Sequence, residues 1–366
     1  MSEVSNIPQL RFPEFSGEWE DGKLGNYGNL INGLTYSPDN IVDEGLLVLR
    51  SSNVQNGQIY LNDNVYVNLD VDDTALTRED DILICVRNGS KRLIGKSTII
   101  NKNLPKSTHG AFMTVFRGES NKFISHWFHS SIYYKEVHKN LGATINSING
   151  SNLKKFKTIF PAKSEQQKIA SFLTAVDTKI EQLSKKQALL GEYKKGSMQK
   201  IFSQEIRFKS DDGYDFPDWE EKKLGDVSVR GTSNISANQL EDNNGDYKIY
   251  GAAGHLKNID FYTEEDCYVA IVKDGAGVGR IMLLESKTSV LGTLAIIKAK
   301  QGNDINFLYW LIQTINFRKY VVGSTIPHIY YRDYQAENLR IPSLSEQTKI
   351  ANFLSSIDNK IEQVGK

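Results

Sequence analysis

Apolar residues recur at alternating intervals of four and three in two segments of the chain, SEQQKIASFLTAVDTKIEQL from Ser164 and SEQTKIANFLSSIDNKIEQV from Ser345. The apolar positions are Ile169, Leu173, Val176, Ile180 and Leu183 in the first segment, and Ile350, Leu354, Ile357, Ile361 and Val364 in the second. This spacing is the a and d pattern of a coiled coil, and it predicts two helices that pack antiparallel along these residues. Packing of each helix onto its own neighbouring unit is the alternative.

Both helices have a predicted start. Ser164 followed by Gln167 forms a capping-box pattern, and Ser345 is the equivalent N-cap candidate. Pro161 and Pro342 precede them and end the strands before them. The first helix is predicted from residue 165 to about residue 200, whereas the second ends with the sequence at Lys366 and is either short or truncated.

The two segments belong to a longer internal repeat. They share 13 of 20 positions at an offset of 181 residues, and further matches lie on either side of them. At the same offset, Gly142, Thr144, Ile145 and Pro161 return as Gly323, Thr325, Ile326 and Pro342; at an offset of 200, Trp19, Leu24 and Gly25 return as Trp219, Leu224 and Gly225. A repeat of this length predicts two related globular units, each followed by a helix.

The middle of each unit predicts mixed secondary structure. ILICVRNGS and YVAIVKDGA each read as a buried strand followed by a tight turn, so Arg87, Asn88 and Gly89 align with Lys273, Asp274 and Gly275. An aromatic-rich helix is predicted later in each unit, within 121–140 and 305–321. The fold class is therefore α+β. The predicted domains are 1–160, a central helix over 161–205, a second globular domain over 206–341 and a C-terminal helix over 342–366.

Composition excludes several classes of protein. The 44 Lys and Arg residues balance the 44 Asp and Glu residues, so net charge favours no nucleic-acid or membrane partner. No apolar run is long enough to span a membrane and no signal peptide is evident, so a cytoplasmic location is expected. Cys85 and Cys267 lie in apolar runs and are predicted to be buried free thiols.

No catalytic motif is recognisable. The segment DGAGVGR (274–280) lacks the spacing, the lysine and the following helix of a phosphate-binding loop, and a glycine-rich hairpin is the better interpretation. His126 and His129 are three residues apart on a predicted helix, but packing explains them better than a metal site. We therefore expect neither a catalytic site nor a metal site in this chain.

Polar, basic and aromatic residues on predicted turns are the candidates for contact with DNA, because such side chains bind phosphates and base edges. Ordinary surface loops are the alternative for any one of them. The candidates in the first unit are Thr35, Tyr36, Arg50, Ser51, Asn53, Arg87, Asn88, Ser90, Lys91, Arg92, Lys96, Thr108, His109, Ser147 and Asn149; those in the second are Tyr250, Lys273, Asp274, Arg280, His328, Tyr330, Tyr331 and Arg332.

The doubled pattern, a variable unit ending in G-x-T and Pro and followed by SEQ-x-KIA-x-FL and D-x-KIEQ, closely resembles the DNA-specificity subunits of type I restriction-modification systems. The resemblance covers essentially the whole chain. It implies that each globular unit is a target recognition domain reading one half of a bipartite, asymmetric double-stranded DNA target. The helices would fix the spacer between the two halves.

The resemblance also implies partners and no catalysis by this chain. Two methyltransferase subunits would dock on it, and two restriction-translocase subunits would join the full complex. S-adenosylmethionine, ATP and Mg²⁺ would belong to those partners, and no cofactor to this chain. Two other hypotheses remain: a repeat-built assembly scaffold without sequence-specific DNA binding, and a self-sufficient enzyme acting on nucleic acid.

Overall fold

The structure is a computed structural model that describes residues 6–141, 146–240 and 242–366. The chain forms two compact units, residues 1–180 (unit 1) and residues 181–366 (unit 2). The repeat positions Gly142, Thr144 and Ile145 lie outside the described residues. Both units mix helices with sheets, which confirms the predicted α+β class.

Unit 1 is built from short strands. They are β1 (Glu20–Lys23), β2 (Gly28–Asn32), β3 (Ile41–Val42), β4 (Leu46–Leu49), β5 (Val54–Gln55), β6 (Gln58–Ile59), β7 (Tyr66–Val67), β8 (Ile82–Cys85), β9 (Ser97–Ile99), β10 (Ser107–His109), β11 (Met113–Gly118) and β12 (Lys157–Phe160). Its short helices are α1 (Asn121–Trp127), α2 (Ser131–Asn140) and α3 (Gly150–Leu153).

Two four-stranded sheets form the body of unit 1, in the strand orders β2-β11-β8-β9 and β10-β4-β7-β3. The run Ile82–Cys85 is fully buried because one side of its sheet faces α1 and α2 and the other faces the second sheet. The predicted aromatic-rich helix is two helices, because the chain turns between Trp127 and Ser131. The strands β1 and β12 pair antiparallel, from Glu20 with Phe160 to Lys23 with Lys157.

A single helix, α4 (Lys163–Phe202), runs from unit 1 into unit 2. Its 40 residues correspond to about 60 Å, and its range confirms the predicted central helix. It begins one residue before Ser164, which therefore lies inside the first turn and is not the N-cap.

Unit 2 repeats the same plan. Its strands are β13 (Glu220–Lys223), β14 (Ser228–Thr232), β15 (Tyr247–Gly251), β16 (Gly254–Ile259), β17 (Tyr268–Val272), β18 (Ile281–Leu284), β19 (Ser289–Val290), β20 (Leu294–Ala299) and β21 (Asn338–Ile341). Its helices after α4 are α5 (Leu224–Val227), α6 (Ile305–Ile312), α7 (Tyr331–Tyr334) and α8 (Leu344–Gly365).

The sheets of unit 2 have the strand orders β14-β20-β17-β18, β16-β15-β19 and β13-β21. The strand β17 is buried at all five positions, as β8 is in unit 1. The helix α8 is capped by Ser343, whose hydroxyl accepts a hydrogen bond from the Glu346 amide. The predicted cap at Ser345 is therefore wrong by two residues, because the chain enters the helix directly after Pro342.

The helix α8 packs antiparallel on the second half of α4, which confirms antiparallel helix pairing. Lys194 Nζ lies 2.5 Å from Asp358 Oδ1, and the Tyr193 and Phe353 rings lie 6.4 Å apart. A Cβ built on Gly365 would lie 2.7 Å from Gln187 Nε2, so the end of α8 faces an earlier turn of α4.

The predicted seam residues are wrong in register. Ile350, Leu354 and Ile357 are buried in one cluster with Ile201 of α4 and with α6, while Val176 and Ile180, assigned as their partners, are 39% and 57% exposed. The aromatic residues of α6 offer α8 more apolar surface than a narrow two-helix seam, and the hydrophobic effect favours the larger burial. The alternative interpretation, packing of α8 on its own unit, accounts for its apolar face.

Two smaller expectations have mixed outcomes. Cys85 is buried as predicted, but Cys267 is exposed because it precedes β17 and lies outside the buried run. Among the residues that the structure describes, no helix is long and apolar enough to cross a membrane.

Candidate nucleic-acid interface

The turn after β8 is held in place by backbone hydrogen bonds from two directions. The amides of Val86 and Arg87 both donate to the Phe112 carbonyl at 3.0 Å. On the other side, Arg87 forms an antiparallel bridge with Ser147, and the Ile148 amide donates to the Val86 carbonyl at 2.8 Å. The backbone at Arg87 is thereby fixed by a strand edge and by the loop before α3.

Four basic side chains follow β8 and form what we call the unit 1 patch: Arg87, Lys91, Arg92 and Lys96. Arg87, Lys91 and Arg92 are exposed, and Lys96 is half-buried. Within the described parts of the chain, none of the four belongs to an ion pair. Their charge is therefore available to an anionic partner even though the whole chain is neutral.

Several polar candidates gather around this patch. Asn88 Nδ2 donates to Ser51 Oγ at 3.0 Å, and its backbone amide donates to the Asn146 carbonyl at 3.2 Å. Ser90 follows Asn88 in the same turn, and its amide donates to the Asn88 side chain. Asn149 caps α3 by accepting a hydrogen bond from the Ser151 amide. The structure thus brings Ser51, Ser147 and Asn149 toward the unit 1 patch.

Unit 2 builds the same backbone frame with different side chains. The Lys273 amide donates to the Thr293 carbonyl at 2.9 Å, as the Val86 amide does to the Phe112 carbonyl. Asp274 forms an antiparallel bridge with His328, and the Ile329 amide donates to the Lys273 carbonyl at 2.9 Å. The repeat therefore extends to the hydrogen bonds that hold the candidate residues. These bonds place Asp274 at the position of Arg87, so the predicted alignment of Arg87 with Lys273 is wrong by one residue.

The glycine-rich segment 274–280 is confirmed as a hairpin between β17 and β18. Gly275 and Gly279 have φ values of +90° and +84°, which favour glycine. Arg280 at its end donates to the Ala252 carbonyl at 2.6 Å.

An aromatic and basic cluster lies beside this hairpin. The Tyr330 ring is 4.9 Å from the His328 ring and 4.9 Å from the Arg332 guanidinium carbon. Tyr330 is 43% exposed, and Arg332 Nε lies 3.5 Å from a carboxylate oxygen of Asp333. At the positions equivalent to His328 and Tyr330, unit 1 has Ser147 and Asn149, so the two units present different chemistry on one frame.

Three candidates are excluded from a surface role because their side chains are buried. Asn53 donates to the Tyr60 and Asp63 carbonyls and holds a loop together. Thr108 donates to the Ala75 carbonyl, and His109 Nε2 pairs with the Ile31 carbonyl at 3.0 Å. Burial of the His109 imidazole lowers its pKa to about 4, so the ring is neutral near pH 7.

The remaining candidates are scattered. Arg50 pairs with Asp63 at 2.9 Å, and Tyr250 donates to Glu285, with burial raising the pKa of its hydroxyl. The Tyr331 hydroxyl lies 3.1 Å from Ser228 Oγ and is half-buried. Thr35 is exposed and Tyr36 is half-buried on the loop before Pro38–Asn40. None of these residues joins the hydrogen-bonded frames around Arg87 and Asp274.

The repeated SEQ motif holds a buried carboxylate, which the sequence pattern did not predict. Glu165 accepts hydrogen bonds from Arg11 at 2.8 and 2.6 Å and from Trp19 Nε1 at 3.3 Å. Hydrogen bonding to Glu165 raises the pKa of the Arg11 guanidinium.

Glu346 repeats the arrangement in unit 2. It accepts hydrogen bonds from Arg207 at 2.9 and 3.4 Å and from Trp219 Nε1 at 3.1 Å. We call each set a Glu clamp. The sequence signal was an Arg-Phe dipeptide before each repeated Trp, at Arg11 and Arg207.

The described residues contain no group of three or more His, Cys, Asp or Glu side chains that could hold a metal ion. The candidate surfaces instead offer hydrogen-bond donors, cations and exposed rings. That combination is typical of surfaces that bind nucleic acid.

A protein-family model described as the type I restriction modification DNA specificity domain matches residues 16–190 and 217–366. The chain belongs to this family. The two matches fall on the two copies of the repeat, so each copy is a separate instance of the domain. The family assignment rests on most of the chain and not on the helical motif alone.

Similar proteins carry consistent names. The chain is 27% identical to the putative type I restriction enzyme MjaX specificity subunit of Methanocaldococcus jannaschii, covering 98% of this chain and 91% of that protein. It is 30% identical to the EcoKI specificity subunit of Escherichia coli over 44% of this chain and 37% of that protein. The crystal structure of the type I restriction-modification S subunit from M. genitalium shares the fold, with a TM-score of 0.68 at 15% identity over 99% of this chain and 94% of that one.

Proposed function

We propose that this chain is the non-catalytic DNA-recognition subunit of a type I restriction-modification complex and that each unit reads one half of a bipartite, asymmetric target. The observation that carries the proposal is the repeated hydrogen-bonded frame around Arg87 and Asp274, which presents different side chains in the two units. The shared backbone frame lets both units bind DNA in the same orientation. Their different side chains then recognise two different half-sites.

Functional boundaries follow from this proposal. The recognition domains are residues 1–160 and 206–341, and the helical segments 161–205 and 342–366 set the spacer. Two methyltransferase subunits dock on the helices, and two restriction-translocase subunits complete the nuclease. S-adenosylmethionine, ATP and Mg²⁺ are bound by those partners, and the complex acts in the cytoplasm.

Exposed apolar side chains along α4 support a protein partner there. Phe172, Ile180, Leu189 and Tyr193 are 53–57% exposed, although large apolar side chains are usually buried. The same observation supports the alternative function, an assembly scaffold without intrinsic DNA specificity. The alternative predicts that the assembled complex has no preferred DNA sequence.

The spacer assignment is tested by lengthening α4. Four helix-forming residues inserted after Ser184 add about one turn, or roughly 6 Å, which corresponds to about two base pairs. This position precedes Gln187, where the contacts between α4 and α8 begin.

The chain and its methyltransferase partners are expressed in a host, and methylated adenines are mapped genome-wide. We expect unchanged half-sites separated by a longer gap. A control variant with three substitutions at 184–186, which are exposed, and no added length keeps the original gap. Altered half-sites with an unchanged gap would contradict the spacer assignment, and absence of any preferred sequence would favour the scaffold.

A further inference from the structure

Phe112 is an exposed aromatic residue beside the unit 1 patch. Its ring is 55% exposed, and its carbonyl accepts the amides of both Val86 and Arg87. The Arg87 guanidinium carbon lies 5.6 Å from the centre of the ring. That distance is within the range of a cation–π contact, for which arginine is the more common partner.

This contact gives Arg87 a property that its neighbours lack. Lys91 and Arg92 are exposed on a short turn of helix, Lys91–Leu93, and no contact of their side chains with a ring is present in the described residues. The Arg87 guanidinium is held over a ring whose own backbone is fixed to Arg87, and its donors are not used by another described residue. The ring contact therefore restricts the orientation of the guanidinium, while its N–H donors remain available to a ligand.

Recognition of a base by arginine requires a guanidinium of defined orientation. Arginine binds the O6 and N7 atoms of guanine through two parallel N–H donors, and this pairing needs a defined orientation of the guanidinium. A phosphate contact needs only charge, which flexible Lys and Arg side chains supply. On these grounds Arg87 and its three neighbours in the patch have different roles.

Unit 2 supplies an internal comparison. At the positions equivalent to Arg87 and Phe112 it has Asp274 and Thr293, and these side chains offer neither a guanidinium nor a ring. The feature is therefore not imposed by the common frame. At this turn of the described residues it occurs in unit 1 alone, as a determinant of one half-site should, and the Arg332 and Tyr330 contact of unit 2 lies at a different position of the frame.

We propose that Arg87 reads a guanine in the half-site of unit 1 through its O6 and N7 atoms, with Phe112 as the residue that positions the guanidinium. This inference rests on the proposed DNA-recognition function and names the base and the two residues. It predicts that both side chains act on one base pair of one half-site.

The test uses the full chain assembled with its methyltransferase partners and a DNA library with randomised half-sites. The wild-type complex selects its target, and one half-site contains a guanine that the Arg87→Ala variant no longer requires. Loss of a bidentate contact of this kind weakens discrimination at that position by about 5- to 150-fold. The other half-site stays unchanged.

Two further substitutions separate positioning from general structural damage. Phe112→Ala reduces the preference at the same base pair, and Phe112→Tyr keeps it because the aromatic face remains. Arg87→Lys retains the charge but loses the guanidinium, so it loses the preference as well. Ile132→Ala, which removes an apolar side chain of 51% exposure on α2 of the same unit, changes nothing.

Replacing the selected guanine by 7-deazaguanine removes the N7 acceptor. The wild-type complex then binds more weakly, whereas Arg87→Ala binds both DNAs equally. Uniform weakening on all sequences by Arg87→Ala would overturn the proposal in favour of a phosphate contact, with sequence-specific binding by the wild type intact. A wild-type complex that selects no sequence would overturn this proposal together with the proposed function.

Discussion

The Glu clamp of unit 2 allows a quantitative prediction. Glu346 is completely buried and accepts three hydrogen bonds, two from Arg207 and one from Trp219. The substitution Glu346→Gln keeps the size of the side chain and removes its charge. One amide oxygen remains to accept from Trp219, so the main loss is the pair of charge-assisted bonds to Arg207.

The size of the stability loss depends on the hydrogen bonds that Arg207 keeps in the variant. Breaking a buried pair costs about 3–5 kcal/mol when the remaining charge has no other partner. Arg207 is 25% exposed and still donates to the carbonyls of Phe216 and Pro217. We therefore expect a loss of about 2–3 kcal/mol in the stability of unit 2, at the level of charged hydrogen bonds.

Hydrogen exchange with peptide resolution is the appropriate assay, because a chain with two units does not unfold in one step. Protection in α8 falls by roughly 30- to 150-fold if opening of that helix limits exchange. Protection in α1 of unit 1 stays constant. Glu165→Gln gives the reverse pattern, and Glu220→Gln, at a side chain that is 71% exposed, changes neither unit. Equal protection in Glu346→Gln and Glu220→Gln would refute the reasoning.

Two further predictions concern individual residues. The pKa of His109 falls from 6.5 to about 4 on folding, so protonation favours the unfolded chain. The stability that is present above pH 6.5 is therefore lost as the pH drops toward 4. Relative to His109→Gln, unit 1 should lose up to roughly 3 kcal/mol over that interval in urea titrations, and parallel pH profiles would contradict the prediction. Gly191 lies inside α4 with no atom within 4 Å of a built Cβ, so Gly191→Ala should stabilise unit 2 by up to about 1 kcal/mol; a lower melting temperature would contradict it.

The sequence predicted the features that local pattern controls. The strands β8 and β17 were found because short apolar runs followed by turn residues fit few other structures. The helix α4 was found because its apolar spacing persists over many turns. The strand ends before Pro161 and Pro342 followed from the missing amide of proline.

Features that depend on distant residues were missed or misplaced. Glu165 was not recognised as buried, because its partner Arg11 is 154 residues away and a lone acidic residue normally lies at the surface. Thr108 and His109 read as a polar loop but lie in β10, where parallel pairing with β4 buries both. The pairing partners of α8 were wrong because its apolar spacing fits both a second helix and a globular core.

The pairing of β1 with β12 and of β13 with β21 has a consequence for how such a chain can change over time. Each pair joins the first and last strands of a unit, and the Glu clamp of that unit stabilises the same junction. The chain between the paired ends is a closed loop, and lengthening a closed loop costs little free energy because closure entropy grows only with the logarithm of its length. The fall in repeat offset from 200 at Trp19 to 181 at Ser164 shows that the first loop carries 19 more residues than the second. Insertions and exchanges within a loop leave the paired strands at its ends in place. New recognition surfaces can therefore arise without changes in the helices that follow the units.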